Sequence, residues 1–421
     1  MGCAGKWIGE VVGRMAAQLH RWGLWLRIRW RGRQRLPSGH RRWLNHAERG
    51  WRRRVEGEYA PGRWEVLHLR GALIQPMLDL LNRPSGGEAY YGGVVCAAPE
   101  QQPVLRHFRG DAAVDRPCLE ASAPTGLAQP HGGRLFWCGP LGWHFGHQVA
   151  DFGSRVLLAS VDPRGGTLLW APWPGGNGWD ALAPWQRALL AYLNPGQKPV
   201  ALLTQTLKAE HLIVVPQQAR MWATPSVAHL EALGWCEDHL APGKGGVLYV
   251  SRTQAAPCLD GSSLRGSIAA ERQLESLLRE RGVGIVYPEQ LSLGEQLAAY
   301  RGANAIVVAE GSAQHGLELL GVHVDKEVIV ICRRPQRAGM ELPLRARFPR
   351  VRWIEAIAER WMARGGAAWC GLTLVHWERV APVLNTVLDD PLSGADMATL
   401  QQASQQQLQR LAATVPLQLV P

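Results

Sequence analysis

Short apolar runs alternate with helical patterns between residues 247 and 331, and this alternation restricts the fold more than any other feature of the sequence. Four runs predict buried strands, at residues 247–250, 285–287, 305–308 and 328–331. The stretches between them predict helices over residues 268–281, 292–301 and 312–320. Strands that alternate with helices at this spacing form a doubly wound parallel sheet. Ligands of such sheets bind at the carboxyl ends of the strands.

The remaining pattern predicts an α/β chain in several parts. Further short strands are predicted at residues 135–137, 168–170 and 211–215, and a Gln-rich helix at residues 395–413. A Gly/Pro-rich stretch at residues 242–246 is typical of a linker. We therefore divide the chain into an arm, two α/β domains and a C-terminal helix, over residues 1–58, 59–241, 242–391 and 392–421.

Positive charge is concentrated at the N-terminus. The 421-residue chain has a net charge of +11, yet residues 1–54 hold 14 of its 46 Lys and Arg residues and only two of its 35 Asp and Glu residues. The body is therefore close to neutral, which argues against a globular domain that coats nucleic acid.

The arm also carries an apolar stripe. Residues from Ile8 to Leu26 place apolar side chains at helical spacing, and four Trp residues lie nearby. A basic amphipathic helix with tryptophans is typical of a helix lying in a membrane interface. Packing of the stripe on the protein's own body, or binding of nucleic acid or a partner, are the alternatives.

Cysteine spacing and hydropathy indicate the compartment. None of the eight Cys residues lies within four residues of another, which argues against a zinc finger or redox motif and favours free thiols in a reducing compartment. No run approaches 18 apolar residues, and arginines interrupt every apolar run near the N-terminus. We expect a cytoplasmic protein, peripheral to the inner face of the membrane if the arm binds lipid.

A first group of candidate catalytic residues is spaced by four. His147, Asp151 and Arg155 would share one face of a helix, with an imidazole beside a carboxylate beside a guanidinium. Such a pair can take a proton from an attacking hydroxyl, with either His147 or Asp151 as the base. The alternative is an ordinary surface row of salt bridges.

A second group follows the predicted strands 247–250 and 305–308. Ser251 and Arg252 come directly after the first strand, and an Arg fork suits a diphosphate; Arg265 is the second candidate cation. Gly311 opens the helix after the other strand, where free N–H groups attract anions. Solvated arginines and a simple helix cap are the alternatives. No Asp-x-Asp triplet occurs, which favours charge neutralisation by Arg and helix dipoles over a metal.

Taken together, these motifs resemble glycosyltransferase family 61, over roughly residues 130–330. The resemblance rests on the spacing of His147, Asp151 and Arg155, on Ser251-Arg252, and on Gly311-Ser312-Ala313, with several short motifs between them. It implies catalytic roles for Asp151 and His147. It implies donor-binding roles for Ser251, Arg252, Arg265, Glu310, Gly311, Ser312, Ala313 and His315. Supporting roles fall to Arg155, Glu271, Glu289, Glu295 and Gln296.

The chain departs from the family pattern in three places. Ala270 stands where Asn is usual, Glu310 stands where many members have His, and a Glu is missing after the strand at residues 328–331. These departures concern the donor side of the site.

The resemblance implies a GT-B architecture, in which two Rossmann-like doubly wound domains face a cleft. Residues 59–241 would form the acceptor side and residues 242–391 would bind the nucleotide sugar. It also implies an inverting glycosyltransferase of the bacterial capsular-polysaccharide type. Such an enzyme needs no cofactor and no obligatory metal, and moves a sugar to a polysaccharide or glycolipid at the cytoplasmic membrane face. The alternatives are a catalytically inactive, membrane-peripheral scaffold of a polysaccharide assembly complex, and a nucleic-acid-binding protein that works through the arm.

Overall fold

The structure is a computed structural model in which two compact units are distinguished, Met1–Cys236 and Glu237–Pro421, here called unit 1 and unit 2. It describes residues 66–77, 80–82, 88–95, 102–110, 112–116, 128–173, 178–254, 266–335, 339–366 and 370–420. The predicted arm at residues 1–58 lies outside the described residues. In the described part of the chain, no helix is both long enough and apolar enough to cross a membrane.

Unit 1 contains a six-stranded mixed sheet and two small sheets. Its strands are β1 (Leu67–Gln75), β2 (Leu80–Asn82), β3 (Glu88–Tyr91), β4 (Gly93–Val95), β5 (Phe108–Arg109), β6 (Ala112–Ala113), β7 (Asp115–Arg116), β8 (Gln129–Leu141), β9 (Thr167–Pro172), β10 (Val200–Leu202) and β11 (Leu207–Val214). The large sheet has the order β10-β9-β8-β11-β1-β4. Its first four strands are parallel, whereas β1 and β4 are antiparallel to their neighbours.

The helices of unit 1 are short. They are α1 (Gln102–Leu105), α2 (Phe145–Ala150), α3 (Val156–Val161), α4 (Pro184–Tyr192) and α5 (Val227–Glu237), which ends at the boundary of the unit. The 3₁₀ segments Phe152–Arg155 and Trp179–Ala181 lie between them.

Burial explains why β8 lies in the middle of the sheet. Its last seven residues, from Leu135 to Leu141, are all buried, and β9 and β11 flank it as parallel neighbours. A strand that is buried on both faces has a continuous run of apolar residues in the sequence. For this reason the strands predicted at residues 135–137, 168–170 and 211–215 are found in β8, β9 and β11. The sheet itself is mixed, where the resemblance implies a doubly wound parallel one.

Unit 2 contains a parallel sheet that confirms the predicted alternation. Its strands are β12 (Val247–Val250), β13 (Ser267–Ile268), β14 (Gly284–Val286), β15 (Ala305–Ala309), β16 (Glu327–Ile331), β17 (Arg350–Ile354), β18 (Ile357–Ala363), β19 (Leu372–Val375) and β20 (Leu417–Leu419). Five of them form the parallel sheet β14-β12-β15-β16-β17. The other four form a mixed sheet, β13-β19-β18-β20.

Five α-helices are described in unit 2, and the last of them lies near the C-terminus. They are α6 (Glu271–Glu280), α7 (Leu293–Gly302), α8 (Glu341–Arg347), α9 (Trp377–Leu384) and α10 (Gly394–Ala412), with 3₁₀ segments at Pro288–Gln290 and Ser312–Leu319. The predicted capping box of α7 is confirmed, since Ser292 Oγ accepts from the Glu295 amide and Glu295 Oε2 accepts from the Ser292 amide. The Gln-rich helix is confirmed as α10.

Strand order marks the place in unit 2 where a ligand is expected. The chain passes from β12 to β14 on one side and then to β15 on the other, so the order reverses between β12 and β15. In open parallel sheets, ligands bind in the crevice outside the carboxyl ends of the strands at such a switch point.

Two predicted helices differ from those observed. Residues 268–281 were expected to be helical, but Ser267 and Ile268 pair with β19, and α6 begins only after Ala270, whose φ of 60° is left-handed. In place of the helix predicted over residues 312–320, the structure has a 3₁₀ helix at Ser312–Leu319. In the first case, pairing with a strand distant in sequence overrides the local helical pattern.

The two ends of α7 offer a matched test of packing. A Cβ on Gly302 would lie 2.4 Å from the carbonyl carbon of Gly243, whereas a Cβ on Gly294 would meet nothing within 4 Å. Gly302→Ala is expected to lower the free energy of unfolding by about 1–3 kcal/mol, because main chain must move to admit the methyl group. Gly294→Ala is expected to raise it by about 0.5–1 kcal/mol. Urea unfolding of both variants checks this, and equal effects would contradict the contact with Gly243.

Candidate functional site

In unit 1, the turn after β8 positions the first predicted residues. Gly142 is held from both sides, since its N–H donates to Gln148 Oε1 (2.7 Å) and its carbonyl accepts from Gln186 Nε2 (2.7 Å). His144 then caps α2, with its Nδ1 accepting from the His147 amide. The first turn of α2, with His147, is therefore placed at the carboxyl end of a central parallel strand.

His147 and Asp151 form the predicted pair. His147 Nδ1 lies 3.3 Å from Asp151 Oδ2, and the His147 side chain is 16% exposed whereas that of Asp151 is fully buried. The second oxygen, Asp151 Oδ1, accepts from the Met221 amide at 2.9 Å. Asp151 is thus held rigidly in the interior, and His147 is the member of the pair that a substrate can reach.

Arg155 does not share a helical face with this pair. Helix α2 ends at Ala150, and Arg155 is the last residue of the 3₁₀ segment that follows. Its fully buried guanidinium donates to the carbonyls of Val104 (2.7 Å), Val215 (3.2 Å) and Arg106. In this structure Arg155 ties three main-chain segments together beneath the pair.

Aromatic side chains border the pair. The rings of His144 and His147 lie with centroids 4.7 Å apart, and the preceding Trp143 is 57% exposed. Trp143 and His144 were not predicted as site residues, and for Trp143 nothing in the residue spacing separates an exposed Trp from the buried ones.

In unit 2, the loop after β12 carries Arg252. Its amide donates to Glu271 Oε1 at 3.0 Å, and Tyr249 Oη donates to the same oxygen at 3.0 Å. Burial raises the pKa of the Glu271 carboxyl group, and these hydrogen bonds and the positive charge of Arg252 oppose the rise. Glu271 therefore anchors the loop from the start of α6.

Ser251 is part of the same anchor. It is fully buried, and its hydroxyl donates to Glu275 Oε1 at 2.5 Å, as does Thr253 Oγ1 at 2.6 Å. Tyr287 Oη donates to the other oxygen, Glu275 Oε2, at 2.7 Å. Glu275, which the sequence analysis missed, thus fixes the residues on either side of Arg252.

Gly311 makes room for the Arg252 guanidinium. A Cβ on Gly311 would lie 1.8 Å from Arg252 Nη1, and the φ of +155° at Gly311 also requires glycine. Arg252 Nε is buried and finds no hydrogen-bond partner among the described residues. The switch point between β12 and β15 therefore holds a guanidinium packed on bare main chain.

Some hydrogen-bonding groups in the segment that begins at Gly311 already have partners within that segment. The Gly311 amide donates to Gln314 Oε1 at 3.3 Å, and Ser312 and Ala313 begin the 3₁₀ helix. His315 is buried, with its Nδ1 2.6 Å from Glu318 Oε1. The geometry differs from the predicted phosphate cradle in that the helix is 3₁₀ and its first amide is already occupied.

Glu310 and two arginines form a cluster at the same edge of the sheet. Glu310 follows β15 and is fully buried; its carboxylate accepts from Arg334 Nε (2.7 Å) and from the main-chain amides of Arg333 and Arg334 (2.9 and 3.0 Å). Arg333 and Arg334 were not predicted from the sequence as site residues. Two consecutive arginines directly after a predicted strand were the available signal.

The remaining predicted residues lie around this edge or beyond it. Glu289 lies in the 3₁₀ segment after β14, where burial raises the pKa of its carboxyl group and the charge of Arg252 lowers it. Glu295 caps α7, and Gln296 Nε2 donates to Tyr300 Oη at 2.8 Å. Arg265 lies outside the described residues.

Across the ranges that the structure describes, no group of three or more His, Cys, Asp or Glu side chains is arranged to hold a metal ion. Guanidinium groups are the cations that the structure places at the switch point of unit 2.

Comparison with known proteins identifies one family. Residues 145–319 match the family described as Glycosyltransferase 61. No match is found among curated proteins. Among solved structures, the chain is 12% identical to rubredoxin oxygen:oxidoreductase from the anaerobe Desulfovibrio gigas, with a TM-score of 0.19, covering 54% of this chain and 48% of that one. The chain thus spans about half the length of that protein, and so low a TM-score does not indicate a shared fold.

Proposed function

Since residues 145–319 belong to glycosyltransferase family 61, we propose that this protein transfers a sugar from a nucleotide-sugar donor to an acceptor hydroxyl, with inversion at the anomeric carbon. The proposal is supported by two groups of residues in the matched segment. It contains a His–Asp pair at the end of one parallel sheet segment, and at the switch point of another it contains an arginine that forms no ion pair with a carboxylate among the described residues.

His147 is the proposed base. Its Nδ1–H donates to the buried Asp151 carboxylate, which leaves Nε2 to accept the proton of the acceptor hydroxyl. The acceptor oxygen then forms a bond to the anomeric carbon while the bond from that carbon to the donor's phosphate oxygen breaks. Asp151 acts as a positioning residue, because it fixes the tautomer of His147 and stabilises the imidazolium that forms.

Arg252 is the proposed donor-side residue. Negative charge builds on the leaving phosphate oxygens as the bond to the sugar breaks, and a guanidinium held beside them stabilises that charge. Glu271, Glu275 and Gly311 hold Arg252 in place before the donor arrives. Such pre-organisation reduces the cost of ordering the site on binding.

The test is a screen of the full chain against UDP-, GDP- and CMP-sugars with glycan and lipid-linked acceptors, read as nucleotide release. With the donor found in this way, Arg252→Gln is expected to raise the KM for the donor about 10–100-fold, because hydrogen bonds to a charged group are lost. Arg350→Gln is the matched control, since Arg350 is exposed and lies 3.9 Å from exposed Asp325.

The outcomes separate this proposal from its alternatives. No release from any nucleotide sugar would favour the inactive scaffold. Release with an unchanged donor KM in Arg252→Gln would remove Arg252 from the donor site. The GT-B arrangement, the acceptor at the cytoplasmic membrane face and membrane or nucleic-acid binding by the arm stay predictions from the sequence.

A further inference from the structure

Arg333 lies at the same edge of the unit 2 sheet as Arg252, but outside the segment matched to the family. It follows β16 by two residues, and β16 is the neighbour of β15, which in turn pairs with β12. Three adjacent parallel strands therefore carry Arg252, Glu310 with Gly311, and Arg333 directly after their carboxyl ends.

Several contacts hold the Arg333 guanidinium in one position. The residue is 5% exposed, its Nε donates to the Glu310 carbonyl at 2.6 Å, and a Cβ on Gly266 would lie 2.1 Å from Arg333 Nη1. The missing side chain of Gly266 leaves room for the Arg333 guanidinium, just as that of Gly311 leaves room for the Arg252 guanidinium. Both guanidiniums are packed against glycine main chain.

Among the described residues, the Arg333 guanidinium has no carboxylate partner of its own. The Glu310 carboxylate lies 2.6 Å from Arg334 Nη2 and is also bound by Arg334 Nε, so its charge is matched by Arg334. In the described part of the chain, neither Arg252 nor Arg333 forms an ion pair with a carboxylate. Burial and, next, the charge of Arg252 lower the pKa of the Arg333 guanidinium, and the charges of Glu310 and Glu271 oppose this fall. A buried cation beside a half-buried one of the same charge is stabilised by a shared anion.

We propose that Arg333 and Arg252 together bind the diphosphate group of a nucleoside-diphosphate sugar, and that Arg333 makes the site select a diphosphate over a monophosphate. This inference rests on the proposed function, because it concerns the donor of that reaction. Each guanidinium presents a fork that can bind two phosphate oxygens. A monophosphate would leave one of the two guanidiniums without a counterion.

The departures from the family pattern fit this arrangement. Glu310 and the absence of a Glu after β16 were both named as departures; Glu310 pairs with Arg334 and binds the Arg333 main-chain amide, and both arginines follow β16.

The experiment is calorimetric titration of the full chain with nucleoside diphosphates of uracil, guanine and cytosine, the matching monophosphates and inorganic pyrophosphate. Arg333→Gln is expected to weaken diphosphate binding about 10–100-fold and monophosphate binding less than about 3-fold. Arg333→Lys keeps the positive charge but loses the forked guanidinium, so a smaller loss of diphosphate affinity is expected. This variant also provides the test if Arg333→Gln does not fold. Arg350→Gln is expected to bind as the unmodified chain does.

Several results would overturn the inference. These are unchanged diphosphate affinity in both Arg333 variants, equal weakening of monophosphate and diphosphate, and binding of monophosphates alone, as a CMP-sugar donor would give. Its failure is distinguishable from that of the proposed function. Sugar transfer with an unchanged donor KM in Arg333→Gln would sink the inference only, whereas Arg333-dependent diphosphate binding without any transfer would sink the enzymatic proposal only.

Discussion

His147→Ala is expected to lower the kcat of sugar transfer about 10²–10⁴-fold while leaving donor affinity nearly unchanged, because the base is lost and the donor-side arginines are not. Steady-state kinetics with the donor identified by the screen measure both quantities. His211→Gln is the control, since His211 is a partly exposed histidine on β11 of the same unit. A His147→Ala enzyme with the kcat of the unmodified chain would rule out His147 as the base.

Asp151→Asn tests the positioning role separately. Asp151 Oδ1 accepts from the Met221 amide, so an asparagine that keeps this bond turns its NH₂ group toward His147 Nδ1. The Nδ1 atom of His147 would then accept a hydrogen bond from the Asn side chain, and the ring proton would sit on Nε2. A protonated Nε2 cannot take the proton of the acceptor hydroxyl. We expect a fall in kcat comparable to that of His147→Ala with normal folding. If Asp151 itself were the base, His147→Ala would retain most of the activity.

Glu310→Ala is expected to have the largest effect on stability. It removes a fully buried carboxylate and leaves the Arg334 side chain and two main-chain amides without their acceptor. The cost is expected to be about 3–5 kcal/mol, because two main-chain amides lose their acceptor and Arg334, 30% exposed, loses its counterion. In a unit of this size that corresponds to a fall in Tm of roughly 6–20 °C.

Thermal unfolding and urea titration check this expectation. Asp325→Asn is the matched control, since Asp325 is 93% exposed and its loss is expected to leave the Tm almost unchanged. A Tm for Glu310→Ala equal to that of the control would show that the Glu310 cluster does not stabilise unit 2.

Local patterns predicted most of the unit 2 sheet. The strands β12, β14, β15 and β16 are apolar runs buried between helices, and a run of this kind can be recognised without knowing its neighbours. Ser292 and Glu295 gave the start of α7 for the same reason, since a capping box is made within four residues.

Long-range pairing explains the errors. Ser267 and Ile268 lie in a strand because β19, about a hundred residues later, pairs with them. In unit 1, β1 and β4 join the sheet as antiparallel strands, and neither was predicted as a strand. Contacts between segments so far apart leave no periodic signal in either one.

The sequence by itself determined which chemistry-bearing residues follow which strands: His147 after β8, Arg252 after β12 and Gly311 after β15. It did so because strand ends can be read from local hydropathy. Only the tertiary structure decided what each residue faces. Arg155 turns inward to main-chain carbonyls, and Asp151 is buried while His147 is reachable. Arg333 lies at the same sheet edge as Arg252 because β16 pairs with β15 and β15 pairs with β12. The hydrogen bonds of the buried Glu310 depend on distances that residue order does not contain.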